Sequence, residues 1–108
     1  MNSSDPPQQA ERRPSPRRRS LLSGLVVHSS GRFSFPCTIR DLSVSGARIV
    51  FAEGSVLPSN FELVNRSAGI VYRCETVWTK GGIAGVKFLS TFHMVDLPVE
   101  LDFLRRFR

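Results

Sequence analysis

The chain has few of the residues on which enzymes and metalloproteins depend. Its 108 residues include two cysteines and two histidines. Cys37 and Cys74 are far apart and form no CxxC pair, so we predict two small buried side chains rather than a disulfide scaffold, a zinc site or a redox pair. His28 and His93 have no acidic or nucleophilic neighbour at a useful spacing. GxSxG, Walker and HExxH motifs are missing as well, so the sequence predicts a binding protein that is not an enzyme and needs no cofactor or metal.

Long apolar runs are also missing. No stretch approaches the roughly 18 apolar residues that span a bilayer. The first twenty residues are polar and rich in proline, unlike the apolar centre of a signal peptide. With 41% hydrophobic residues the chain can still build a core, and its length fits one domain. We therefore expect a soluble cytoplasmic protein with no membrane contact.

Arginine is abundant by contrast. The net charge is +6, and thirteen of the fifteen basic residues are arginine. Five of them fall within eight residues near the start of the chain: Arg12, Arg13, Arg17, Arg18 and Arg19. The planar guanidinium fork suits phosphates and base edges better than an ammonium group does. Alone, such a run is also consistent with a solvated basic tail.

The start of the chain has no periodic apolar pattern. Residues 1–11 are polar and predict a disordered leader, whereas the folded domain is expected to occupy 12–108. Within 12–20, Pro14 and Pro16 disfavour a helix and push the residues before them towards extended geometry. We therefore expect a flexible, extended arginine segment that leads into the domain.

An alternation of apolar and polar residues then predicts short strands. The predicted strands are 21–29, 33–40, 47–51, 61–64, 69–79 and 82–89. Pro36 in the second strand indicates an edge or a bulge. In the fifth strand, Ile70, Tyr72, Cys74 and Trp78 are predicted to share one face.

The end of the chain changes to helical spacing. Leu97, Leu101 and Leu104 predict an amphipathic helix over about 96–107, with Asp96 as its N-cap. Six strands followed by one helix predict an all-β fold: a small six-stranded antiparallel β-barrel with a C-terminal α-helix packed against it.

A second feature stands between the second and third predicted strands. It is the DxSxxG sequence of Asp41, Ser43 and Gly46. A carboxylate can accept hydrogen bonds from the Watson–Crick edge of guanine, and a hydroxyl with nearby backbone N–H groups can hold a phosphate. We expect Gly46 to allow close approach of the ligand and a positive φ. By itself the pattern is equally consistent with an Asx turn.

RxxxR at Arg13 and Arg17, followed by DxSxxG, resembles the PilZ domain family of bacterial receptors for cyclic di-GMP. The similarity continues through CTIRDLSVSGARI, CETVW and GIAGVKF, and covers about residues 11–90. It implies a six-stranded antiparallel barrel with a C-terminal helix. It also implies that the arginine segment wraps around the nucleotide while the DxSxxG turn holds it from the barrel side.

The resemblance further implies that Arg12, which directly precedes RxxxR, accompanies binding of two stacked cyclic di-GMP molecules. The signal would pass to an unidentified downstream protein. Two other readings remain open: a small basic barrel that binds nucleic acid, and a PilZ-like scaffold that binds proteins alone. Most aromatic residues are phenylalanines at predicted core positions, which leaves few for a nucleic-acid stacking platform.

Overall fold

The computed structural model describes residues 21–108, and the predicted leader and arginine segment lie outside that range. Six strands are present, as predicted. They are β1 (Leu22–His28), β2 (Phe33–Arg40), β3 (Gly46–Val50), β4 (Asn60–Asn65), β5 (Ile70–Lys80) and β6 (Ile83–His93). The last strand runs four residues past its predicted end.

The strands form a closed antiparallel barrel in the order β1-β2-β3-β6-β5-β4, which confirms the predicted architecture. The barrel is closed by β1, which pairs with β2 along its length and with β4 on its other side. In the second pairing Leu25 lies opposite Val64 and Val27 lies opposite Glu62. Pro36 lies where β2 pairs with β1 but not with β3, since the β2–β3 pairs span Thr38–Arg40. Its missing N–H therefore interrupts no β2–β3 ladder, as expected for proline in a strand that is locally an edge.

Inward-facing side chains fill the barrel. The buried cluster consists of alternating strand residues, among them Val26, Ile39, Ile49, Phe61, Leu63, Tyr72 and Val86. Tyr72 stacks on Phe88 with ring centroids 4.0 Å apart. Cys37 and Cys74 are both buried and unbonded, as predicted. Burial raises the pKa of the Cys37 thiol to about 12, and it also raises the pKa of Cys74.

The C-terminal segment covers a second apolar face, on the outside of the barrel. Val27, Val64 and Val71 pack there against Leu101 and Leu104. The side chain of Arg106 donates to the carbonyl of Gly31 in the β1–β2 turn, and Arg66 Nε donates to the carbonyl of Phe107 at 2.9 Å. These contacts anchor the end of the segment to the β1–β2 turn and to the loop between β4 and β5.

The predicted C-terminal α-helix over 96–107 is wrong in type and start. Two 3₁₀ helices occur instead, Met94–Asp96 (η1) and Val99–Phe107 (η2). Asp96 lies inside η1, and Pro98 precedes η2 without a side-chain cap. Leu101, Leu104 and Phe107 are spaced by three, and in a 3₁₀ helix such residues eclipse on one face. The apolar face is therefore kept while the backbone is wound more tightly.

Candidate functional site

The DxSxxG residues form a tight turn that links β2 to β3. Ser43 is its organising residue: its backbone N–H donates to the carbonyl of Gly46 at 2.9 Å. Its hydroxyl oxygen also accepts from the N–H groups of Ser45 at 3.2 Å and Gly46 at 3.3 Å. The backbone N–H of Phe88 donates to the Ser45 carbonyl and ties the turn to β6. Ser43 thus shapes the turn from within.

Of the two reasons predicted for Gly46, the positive φ is wrong, and the structure adds a packing demand. Its φ is not among the positive values found in the described residues, so the turn does not need glycine for a left-handed backbone. A Cβ atom at this position would instead overlap the backbone carbonyl oxygen of Val86 on β6. Gly46 is buried and lies opposite Lys87 in the β3–β6 ladder. The glycine therefore permits close packing of two strands under the turn.

The left-handed residue of the turn is Asp41, with a φ of 50°. Aspartate tolerates this conformation better than most residues because its short polar side chain can bond locally. Its Oδ2 lies 2.5 Å from Nη2 of Arg48, and the side chain is 22% exposed. The carboxylate is thus oriented by a guanidinium but remains accessible from solvent.

Arg48 was missed in the sequence analysis. It lies on β3 two residues after Gly46, between the buried Ala47 and Ile49, so the alternation alone places it on the outer face. A charged residue at an outward-facing position is typical of any protein surface, so nothing in the sequence singles it out. Its pairing with Asp41 depends on the fold of the turn, which no spacing rule reports.

The strand register extends this outer face. Arg48 is opposite Gly85 on β6, and Gly85 is opposite Trp78 on β5. Gly85 carries no side chain, and the indole of Trp78 lies over it, where a Cβ would collide with the ring. Arg48, Val77 and Trp78 line a small cavity of about 110 Å³ there. A guanidinium and an indole therefore flank one shallow depression beside the turn.

The prediction that Trp78 shares one face of the strand with Tyr72 and Cys74 is wrong. The β5–β6 register shifts twice, between Arg73 and Cys74 and between Thr76 and Trp78. The second shift inserts Val77 into β5, and this extra residue reverses which of the later β5 side chains point inward. Trp78 is accordingly 46% exposed. Phe33 is exposed as well and stacks on His28 with ring centroids 5.2 Å apart. Not every aromatic residue therefore belongs to the core.

The register also relates the turn to the start of the described chain. Leu22 lies opposite Ile39, two residues before Asp41. The chain therefore enters the barrel next to the DxSxxG turn. Arg12, Arg13 and Arg17 themselves lie outside the described residues.

The DxSxxG sequence thus forms a partly exposed polar turn between two strands of a closed barrel. The family profile of the PilZ domain matches residues 11–97, which is most of the chain. The chain belongs to the PilZ domain family, a family of receptor domains for cyclic di-GMP. A search of curated proteins found no significant match.

Within residues 21–108, no group of three or more histidine, cysteine or acidic side chains is placed to hold a metal ion. Over the same range, no helix is long and apolar enough to cross a bilayer.

Proposed function

We propose that this protein is a cyclic di-GMP receptor whose site combines Arg12, Arg13 and Arg17 with the turn of Asp41, Ser43 and Gly46. The observation that carries the proposal is the pairing of Leu22 with Ile39, because it brings the entry of the chain beside that turn. In this proposal the two motifs, separated by more than twenty residues in sequence, meet at one place on the barrel.

Chain length is sufficient for the arginines to meet a ligand on the turn. Arg17 precedes Leu21 by four residues and Arg13 precedes it by eight. An extended chain advances about 3.3–3.6 Å per residue, so these residues can reach up to roughly 14 and 28 Å from Leu21. A dinucleotide carrying two phosphates fits within that span. The guanidinium groups then pair with phosphates or with the Hoogsteen edge of guanine.

Asp41 supplies the base recognition in this proposal. Its carboxylate accepts hydrogen bonds from the ring N–H and the amino group of guanine, which adenine does not present in the same arrangement. Ser43 and Gly46 hold the turn in shape, by hydrogen bonds in one case and by strand packing in the other. The exposed indole of Trp78 adds a surface on which a base can stack.

In this proposal, ligand binding is signalled to a protein partner. Ordering the arginine segment against the turn changes the charge and shape of the surface around Asp41. A downstream protein that recognises the ordered surface would then bind the liganded form more tightly, which is the differential affinity that any ligand-driven switch requires.

Titration of the full chain separates this function from nucleic-acid binding. We expect cyclic di-GMP to bind with an affinity that falls modestly between low and physiological salt. A mixed-sequence single-stranded oligonucleotide should bind weakly and lose its affinity steeply with salt, since counterion release dominates non-specific binding. Tight oligonucleotide binding together with no cyclic di-GMP binding would overturn the proposal.

A further inference from the structure

The ion pair between Asp41 and Arg48 joins the ligand-binding turn to the wall of the barrel. Arg48 belongs to the regular part of β3, where it is opposite Arg40 on β2 and Gly85 on β6. Asp41 belongs to the irregular turn that follows β2. The 2.5 Å contact between Oδ2 and Nη2 therefore couples a side chain on a turn to one on a rigid strand.

The surroundings of Arg48 restrict where its guanidinium can go. On the β6 side Gly85 leaves room, and the indole of Trp78 lies over that glycine. Arg48 and Trp78 are walls of the same cavity of about 110 Å³. The Arg48 side chain is 42% exposed, so more than half of its surface is covered. A partly covered guanidinium that is paired with a carboxylate has less conformational freedom than one that extends into solvent.

We infer that Arg48 is a positioning residue that sets the orientation of the Asp41 carboxylate for guanine. The inference rests on the proposed function, because it takes Asp41 as the acceptor of the base. A carboxylate has about four lone-pair sites, so one bond to Arg48 leaves acceptor positions for the two N–H groups of guanine. Arg48 thus fixes the direction in which those positions point.

This role predicts a loss of base discrimination rather than a general loss of binding. Phosphate contacts from the arginine segment do not depend on the direction of the Asp41 carboxylate. Recognition of the guanine amino group does depend on it, since hydrogen bonds weaken steeply when the geometry departs from linear. Cyclic di-IMP, which lacks that amino group, is therefore the appropriate probe beside cyclic di-GMP.

The test compares both nucleotides by calorimetry on the full chain and three variants. Arg48→Met keeps the length of the side chain but removes its charge and donors, and Arg48→Lys keeps the charge without the fork. Arg73→Met is the matched control, since it removes an exposed strand arginine that contacts Glu62 electrostatically rather than the turn. Ligand-free unfolding of each variant establishes that it folds.

We expect the wild-type protein to prefer cyclic di-GMP by about tenfold or more, the value of one hydrogen bond to a charged group. Arg48→Met should reduce that preference to threefold or less, Arg48→Lys should fall between the two, and Arg73→Met should retain the full preference. An unchanged ratio in Arg48→Met, or an equal loss of affinity for both nucleotides, would overturn the role of Arg48 alone. Wild-type protein that binds neither nucleotide would overturn the proposed function itself and the inference with it.

Discussion

Replacement of Gly46 by alanine separates strand packing from ligand contact at the same residue. The structure predicts that Gly46→Ala destabilises the fold, because the added Cβ meets the carbonyl oxygen of Val86. That oxygen belongs to the β6 backbone, which is paired with β3 from Gly46 to Val50 and with β5 on its other side. The clash can be relieved by moving one strand away from the other.

The expected loss of stability in Gly46→Ala depends on how far the neighbouring atoms can move. Overpacking a well-filled interior costs about 1–3 kcal/mol, and a backbone obstacle lies at the upper end of that range. Gly85→Ala, on the strand that pairs with β3, is the matched control. Its new Cβ would meet the indole of Trp78, a half-exposed side chain that can swing into solvent. We expect that variant to stay within about 1 kcal/mol of wild type, because alanine also loses less backbone entropy on folding than glycine.

Urea unfolding followed by circular dichroism measures both differences. With a slope of about 1–3 kcal/mol per molar urea for a small domain, a 3 kcal/mol loss lowers the midpoint by at least about 1 M. A small domain retains enough stability after such a loss to be titrated with ligand. Equal stability of wild type and Gly46→Ala would refute the packing argument. If that stable variant also failed to bind, Gly46 would be a ligand-approach residue after all.

Three further predictions concern other parts of the molecule. Asp41→Ala should lower cyclic di-GMP affinity by about 1.5–3 kcal/mol and remove the preference over cyclic di-AMP; calorimetry that finds equal affinity for both nucleotides in the wild type contradicts its role. Arg12→Leu should change saturation from about two nucleotides per chain to about one, since a stacked pair carries four phosphates that need an additional guanidinium; a wild-type ratio of one in the same titration rules this out. The raised pKa of Cys37 means that the folded state retains a proton that the unfolded thiol loses above its ordinary value of 9.0, so stability should fall as pH rises from there towards about 12. Above pH 9 the free energy of unfolding should fall by about 1.4 kcal/mol per pH unit for each such thiol. In urea unfolding from pH 8 to 10.5, the stability of Cys37→Ala should therefore fall less steeply than that of the wild type.

The barrel could be predicted because its strands alternate with period two. Ile39 and Ile49 are fully buried, as their positions in the alternation indicate. Predictions from this alternation were wrong where the chain departs from regular strand geometry. At Trp78 a bulge reversed the faces of β5, and a bulge leaves no mark in the apolar pattern. At the C-terminus, the spacing of three between Leu101, Leu104 and Phe107 fits an α-helix and a 3₁₀ helix alike, and Leu97 lies outside η2.

The candidate site, like the fold, could be predicted only in part from the sequence. Asp41 and Ser43 could be proposed as ligand contacts from residue chemistry, and that role stays a prediction. The structural demand on Gly46 could not be predicted, because it comes from the carbonyl of Val86 forty residues away. The contact of Arg48 with Asp41 could not be predicted either, because it depends on a turn in which the aspartate has a φ of 50°. The roles of Arg12, Arg13 and Arg17 remain predictions, as these residues lie outside 21–108.

One titration tests the central claim most directly: cyclic di-GMP added to wild-type protein, to Arg13→Ala, to Arg17→Ala and to Arg105→Ala. Arg105 is the control because it lies on η2, where it pairs with Asp102. The account predicts tight binding by wild type and Arg105→Ala. Each of the other two variants should lose about 1.5–3 kcal/mol, a tenfold or larger drop in affinity, with no change in unfolding. Unchanged affinity in both Arg13→Ala and Arg17→Ala would contradict the proposed site.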